Sequence, residues 1–106
     1  MKRLRIHVIF LLLVALLIGC SAGDRSKREV RGYMKQIHEA AEKYRRDYGD
    51  WPVALEELLT SDLLFQNKKL EREWQFIFYW PDEILAISTE EMPGGEGIRV
   101  RYEIKR

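Results

Sequence analysis

The sequence predicts an α+β fold, in which a long N-terminal amphipathic helix and a short second helix pack on a three-stranded antiparallel sheet. Two observations carry this prediction. Apolar residues recur at helical spacing from about 26 to 48 and again from 53 to 64, and three later segments alternate with period two. A chain of 106 residues has room for one hydrophobic core. Its composition, 46% hydrophobic and 33% charged, excludes a disordered chain and a multi-span membrane protein.

The first nineteen residues have the layout of a secretory signal peptide. Lys2, Arg3 and Arg5 form a positive n-region, an unbroken apolar run covers 8–18, and small residues follow. A transmembrane helix needs roughly 20 apolar residues, and this run is much shorter. We therefore expect residues 1–19 to be removed on export rather than to remain as a membrane anchor.

The end of the apolar run, Leu17-Ile18-Gly19-Cys20, resembles the bacterial lipobox. The resemblance implies that a diacylglyceryl group is attached to the Cys20 thiol and that the signal peptidase cuts before it. Acyl chains add about 0.8 kcal/mol per buried methylene, so two or three together anchor a protein stably. The alternative is an ordinary signal peptide, with Cys20-Ser21-Ala22 as a small-x-small site and cleavage before Gly23.

Lipidation on Cys20 predicts a protein of the bacterial cell envelope, facing the periplasm. Ser21 resembles the residue found in lipoproteins that are sent to the outer membrane. Residues 20–27, which lack apolar periodicity, are predicted to be the lipidated tether, and 28–106 the folded domain. Three of the 18 Lys and Arg residues lie in the n-region, which leaves 15 against 17 acidic residues and a net charge near −2. This balance argues against a nucleic-acid partner.

The first helix is predicted from about Ser26 to Tyr48. Its apolar stripe consists of Val30, Tyr33, Met34, Ile37, Ala40, Ala41, Tyr44 and Tyr48. Gly49 is predicted to be a left-handed C-cap, and Pro52 prevents simple continuation of the helix. A short second helix is predicted within 53–64, followed by a polar connection at 66–72.

The sheet is predicted from three alternating segments. Trp74, Phe76, Phe78 and Trp80 share one face of the first segment, which we expect to be the central strand. Pro81 and Asp82 form a turn into a strand at 84–89, and a Pro-Gly-Gly loop leads to a last strand at 98–105. Neighbouring segments joined by short turns predict an antiparallel meander.

The segment from Tyr44 to Leu58, in which Gly49, Trp51 and Pro52 follow the long helix, resembles pilins and type II secretion pseudopilins. The resemblance implies a pilin-headgroup-like α+β domain over about residues 30–106. The apolar run here precedes Gly19, so the stem that packs pilus fibres is missing. The 90–97 loop lacks the aspartates of the calcium-binding members, so neither fibre assembly nor calcium binding is implied.

The search for catalytic, metal and cofactor sites leaves few candidates. His38 is the only histidine after residue 19, and it has no nucleophile motif beside it. It is predicted to bond to water or to Glu42 at the helix boundary. The cysteine count and the scattered carboxylates predict no metal site. We therefore expect no enzyme activity, no cofactor and no small-molecule substrate.

Two surface features keep alternatives open. A basic cluster near the tether could lie against anionic lipid head groups or be simply solvated; it comprises Lys27, Arg28, Arg31 and Lys35. Seven aromatic residues could line a groove for a peptide or glycan or could form the core; they are Tyr44, Tyr48, Trp51, Trp74, Phe76, Phe78 and Trp80.

The sequence thus predicts a non-enzymatic lipoprotein with a pseudopilin-like headgroup. We expect it to contact other envelope proteins in a secretion, pilus or related assembly. The alternative is a ligand-binding envelope lipoprotein that holds a peptide or glycan on exposed aromatic residues.

Overall fold

The computed structural model describes the backbone of residues 2–105 and the side chains of residues 24–105. Three helices precede three strands: α1 Lys2–Tyr48, α2 Leu55–Thr60, α3 Lys68–Glu73, β1 Trp74–Tyr79, β2 Glu83–Ser88 and β3 Arg99–Glu103. The α+β class and the antiparallel meander are confirmed, since the strand order is β1-β2-β3 with both pairs antiparallel.

The helix α1 ends where the sequence predicted. The amide of Gly49 donates to the carbonyl of Arg45 at 2.8 Å, and Gly49 has φ +88°, so it closes the helix in the left-handed conformation. The helix begins at Lys2 rather than near Ser26 and runs through residues 20–27, so the predicted tether is helical in the structure. The side chain of Cys20 lies outside the described residues, and the division of the chain at residue 20 stays a prediction.

Within residues 24–105, the structure has no helical segment of the length and hydrophobicity that a bilayer-spanning helix needs.

The core lies between α1 and the inner face of the sheet. Val30, Met34 and Ile37 are fully buried on α1, and the Tyr33 ring meets Phe76 edge-on at 5.6 Å. Leu58 of α2 and Leu70 of α3 close the sides of the same cluster. The predicted helical stripe is therefore confirmed along most of its length. Tyr48, the last residue of the stripe, is 61% exposed.

Helix α3 lies where the sequence predicted only a polar connection. Asn67 caps this helix. Its side-chain oxygen accepts a hydrogen bond from the backbone N–H of Leu70 at 3.1 Å, and its backbone N–H donates to the carboxylate of Glu71 at 2.9 Å. The Lys69 ammonium bonds to Glu29 of α1 at 2.9 Å, and this carboxylate raises the pKa of Lys69. Six residues are too few for a clear helical period of apolar residues, so the sequence signal for α3 is its N-cap, Asn67.

The prediction that the first strand is central was wrong. β1 is an edge strand, and β2 lies between β1 and β3. Aromatic residues alternate along β1 because one face of the strand is turned toward α1 and the other toward solvent. An edge strand shows the same alternation as a central one. The burial of four of the six β2 residues identifies the central strand.

Candidate interaction groove

An open groove of about 860 Å³ lies beside the C-terminal turns of α1. Its walls come from α1, from the segment that follows α1, from the β1–β2 turn and from the chain after β3. The residues that carry its chemistry are His38, Glu42, Arg45, Arg46, Trp51 and Lys105. We call this feature the basic groove, because three of these side chains carry a formal positive charge and one carries a negative charge.

The periodicity of α1 brings four of these residues to one side of the helix. Glu42 follows His38 by four residues, and Arg45 and Arg46 follow Glu42 by three and four, which places them on neighbouring turns. Lys105 approaches from the chain end because the amide of Ile104 donates to the carbonyl of Asp82 at 2.9 Å, which extends the β2–β3 pairing past β3. The groove is thus assembled by helix spacing and by sheet register together.

Stacked side chains fix one wall of the basic groove. The rings of Trp51 and Trp80 are nearly parallel, with centroids 5.0 Å apart. The guanidinium carbon of Arg45 lies 4.9 Å from the centroid of the Trp51 ring, a cation–π contact. The Trp80 indole N–H donates to the carbonyl of Pro52 at 2.7 Å. These contacts hold Trp51 and Arg45 in place without a ligand.

His38 lies at the inner end of the basic groove, and its side chain is 16% exposed. Its Nε2 atom is 3.0 Å from Glu42 Oε1, a separation typical of an ion pair, although its alignment does not give a hydrogen bond. The imidazole ring also packs 5.9 Å from Tyr102. The predicted pairing with Glu42 is therefore present as a close contact.

The cations of the groove have few internal partners. Among residues 24–105, none of the ion pairs involves Arg45, Arg46 or Lys105. In the same part of the chain, no three His, Cys, Asp or Glu side chains gather closely enough to hold a metal ion. The arrangement therefore offers positive charge and donor N–H groups to a ligand.

The seven aromatic residues singled out in the sequence are divided between core and surface. Trp74 is 1% exposed, and Phe76 and Phe78 pack against the core cluster. Trp51 and Trp80 form the stack beside the basic groove. The ring centroids of Tyr44 and Tyr48 lie 4.5 Å apart near the end of α1. The structure therefore does not bring all seven into one binding surface.

The basic cluster near the tether lies on α1, where Arg28, Arg31 and Lys35 are exposed. Arg28 also borders a second, smaller groove of about 380 Å³ between α1 and α3. Phe65, at the rim of that groove, is 91% exposed. Solvation and contact with lipid head groups both remain compatible with these positions.

Sequence reasoning missed the basic groove. Arg46 on α1 and Lys105 near the chain end are both exposed. Their positions in the sequence do not show that the two cations share a groove. The strand order and the turn at Pro81 bring the chain end beside α1. No sequence pattern within a single segment predicts that contact.

The fold and the groove define an α+β protein with an open, cation-lined surface. Comparison with known proteins found no further support for a narrower class: no protein-family model matches the chain, and neither a curated protein nor a solved structure matches it.

Proposed function

We propose that this chain is a lipid-anchored protein of the bacterial envelope, with a pseudopilin-like headgroup that makes contacts with other envelope proteins. It acts without enzymatic chemistry, and the membrane is engaged through lipid on Cys20. The contacts belong to a secretion, pilus or related assembly. The lipobox-like segment supports the anchor, and the segment from Tyr44 to Leu58 supports the headgroup.

The observation that carries the contact function is the position of the basic groove on α1. A helix rises 1.5 Å per residue, so Arg45 lies about 38 Å along α1 from Cys20. A partner in the periplasm can reach a groove held at that distance, whereas the head groups of the anchoring membrane lie near the other end of the helix.

The alternative, a peptide or glycan bound on exposed aromatic residues, receives less support from the packing. Trp51 is stacked on Trp80 and covered by Arg45, so its ring is already engaged. Fluorescence of Trp51 and Trp80 that responds to cell-wall fragments would favour this alternative over protein contacts.

The anchor is tested by metabolic labelling with a fatty acid in cells that produce the wild type or Cys20→Ser. We expect label only in the wild type, and a mature N-terminus at residue 20 by mass spectrometry. Label retained by Cys20→Ser contradicts the anchor.

The contact function is tested by photo-crosslinking in intact cells, with a crosslinking amino acid at position 46 in the basic groove. Position 43 is the matched control, because Lys43 is exposed on the same helical turns but does not line the groove. We expect envelope proteins to be captured from position 46 and not from position 43. Equal capture from both positions, or none from either, contradicts a contact through the groove.

A further inference from the structure

The charge of the basic groove is opposite to that of the exported chain. Arg45, Arg46 and Lys105 contribute three positive charges against one from Glu42. The chain after residue 19 carries 15 basic and 17 acidic residues, so its net charge is negative. Positive charge is therefore concentrated in the groove, although the chain after residue 19 is negative overall. A concave surface lined by one sign of charge attracts ligands of the opposite sign.

The cation–π contact with Trp51 fixes the position of the Arg45 guanidinium before a ligand binds. Arg45 is held over the indole, so less side-chain entropy is lost when its guanidinium meets a ligand. Arg46 and Lys105 have no ion-pair partner within residues 24–105, so no internal salt bridge must break first. A guanidinium presents paired N–H donors that match the two oxygens of a carboxylate.

We propose that the basic groove binds an acidic segment of a partner protein, through carboxylates that contact Arg45, Arg46 and Lys105. The inference rests on the proposed function and adds the chemistry of the partner. The volume of about 860 Å³ accommodates several side chains of a peptide. The distance of about 38 Å along α1 disfavours the head groups of the anchoring membrane as the occupant. The negative net charge of the exported chain disfavours nucleic acid.

The test uses the mature, lipidated protein in detergent micelles and a dye-labelled hexaglutamate peptide as the probe. Fluorescence anisotropy at 50 mM salt reports the Kd. We expect binding of hexaglutamate, no binding of hexaglutamine, and a Kd about tenfold higher for Arg46→Glu. Raising the salt to 0.5 M should also weaken binding, because the contacts are screened.

Lys43→Glu is the matched control, since it makes the same charge change on the same helical turns outside the groove. It should change the Kd by less than about twofold. Arg46 is the primary variant because the cation–π contact with Trp51 is made by Arg45. Circular dichroism with a thermal melt verifies that each variant is folded. Arg45→Glu is a second variant that removes the guanidinium from Trp51.

Several results would overturn the proposal. Equal weakening by Lys43→Glu would mean that only the net charge of the protein is sensed. Tighter binding of hexathymidylate than of hexaglutamate would identify a nucleic-acid surface. Arg46-dependent binding of the Cys20→Ser protein, produced from residue 20 onward so that it carries neither lipid nor the apolar run, to phosphatidylglycerol vesicles would identify a lipid surface. If position 46 captures envelope proteins in cells but hexaglutamate does not bind, the contact function stands and the acidic partner is excluded.

Discussion

Tyr33 combines a buried ring with an ionisable hydroxyl. The residue is 3% exposed, and its hydroxyl has no hydrogen-bond partner among the described residues. Burial raises the pKa of Tyr33 to about 12, the Glu71 carboxylate adds to the shift, and the nearby Asn67 backbone offsets part of it. The ordinary value is 10.0. Ionisation of this side chain is therefore coupled to unfolding.

This coupling predicts that the protein loses stability in alkali. Between pH 10 and about 12 the Tyr33 hydroxyl is ionised in the unfolded chain but still protonated in the folded one. The unfolded state then binds fewer protons, so the free energy of unfolding falls as pH rises, by roughly 1 to 3 kcal/mol in all. Urea unfolding at pH 9 and pH 11 measures the loss.

Tyr33→Phe should remove much of that alkaline loss, because phenylalanine has no ionisable group. At pH 7 it should leave stability unchanged or raise it by up to about 1 kcal/mol, since an unpaired hydroxyl is deleted. Tyr79→Phe is the control, because Tyr79 is 49% exposed. An alkaline loss of the same size in Tyr33→Phe and the wild type would contradict the assignment to Tyr33.

Trp80 joins the hairpin turn to the segment that follows α1 through one hydrogen bond to Pro52. Trp80→Phe should cost about 1 to 3 kcal/mol of unfolding free energy, because the carbonyl of Pro52 loses its donor and the stack with Trp51 shrinks. Chemical denaturation measures the change. A loss below about 0.3 kcal/mol would mean that water replaces the indole N–H without cost.

At the scale of elements, the short helix α3 depends on its cap. Asn67→Ala should destabilise the protein by about 1 kcal/mol, because the Leu70 amide loses its acceptor. Asn67→Ser should restore most of that loss, since serine also caps well. Urea denaturation of the two variants provides the comparison. Equal loss in both would show that the side chain acts by packing rather than by capping.

The elements show what sequence patterns can and cannot establish. The end of α1 at Tyr48 and Gly49 was predictable, because a left-handed cap is a local property of the chain. The place of β1 in the sheet was not, because edge and central strands differ in their neighbours rather than in their own residues. The burial of Ile84, Leu85 and Ala86 in β2 agrees with its central place, but the strand order is what establishes that place.

At the scale of the whole molecule, the described core lies entirely after the predicted tether. Each buried residue in the described part of the chain is Val30 or a later residue. The fragment 24–106 should therefore fold cooperatively, with an unfolding free energy within about 1 kcal/mol of that of the mature protein in detergent. Chemical denaturation followed by tryptophan fluorescence measures both, since Trp74 is buried. A fragment that unfolds without a cooperative transition would show that residues before 24 contribute to the core.

The candidate site was less predictable than the fold, for a topological reason. The residues on α1 that line the basic groove are related by helical spacing, which the sequence displays directly. Their neighbours Pro81 and Lys105 are distant along the chain and arrive through strand pairing. A pattern read along one segment cannot show which other segment will face it.

The two edges of the sheet differ in a way that limits self-association. The outer strand β3 presents Arg99, Arg101 and Glu103, and charged side chains protect an edge from pairing with another chain. The other edge, β1, contains no charged residue and no proline. If two copies met edge to edge through β1, that contact would use the uncharged edge of each molecule. Growth would then stop at a closed pair instead of continuing into a fibre.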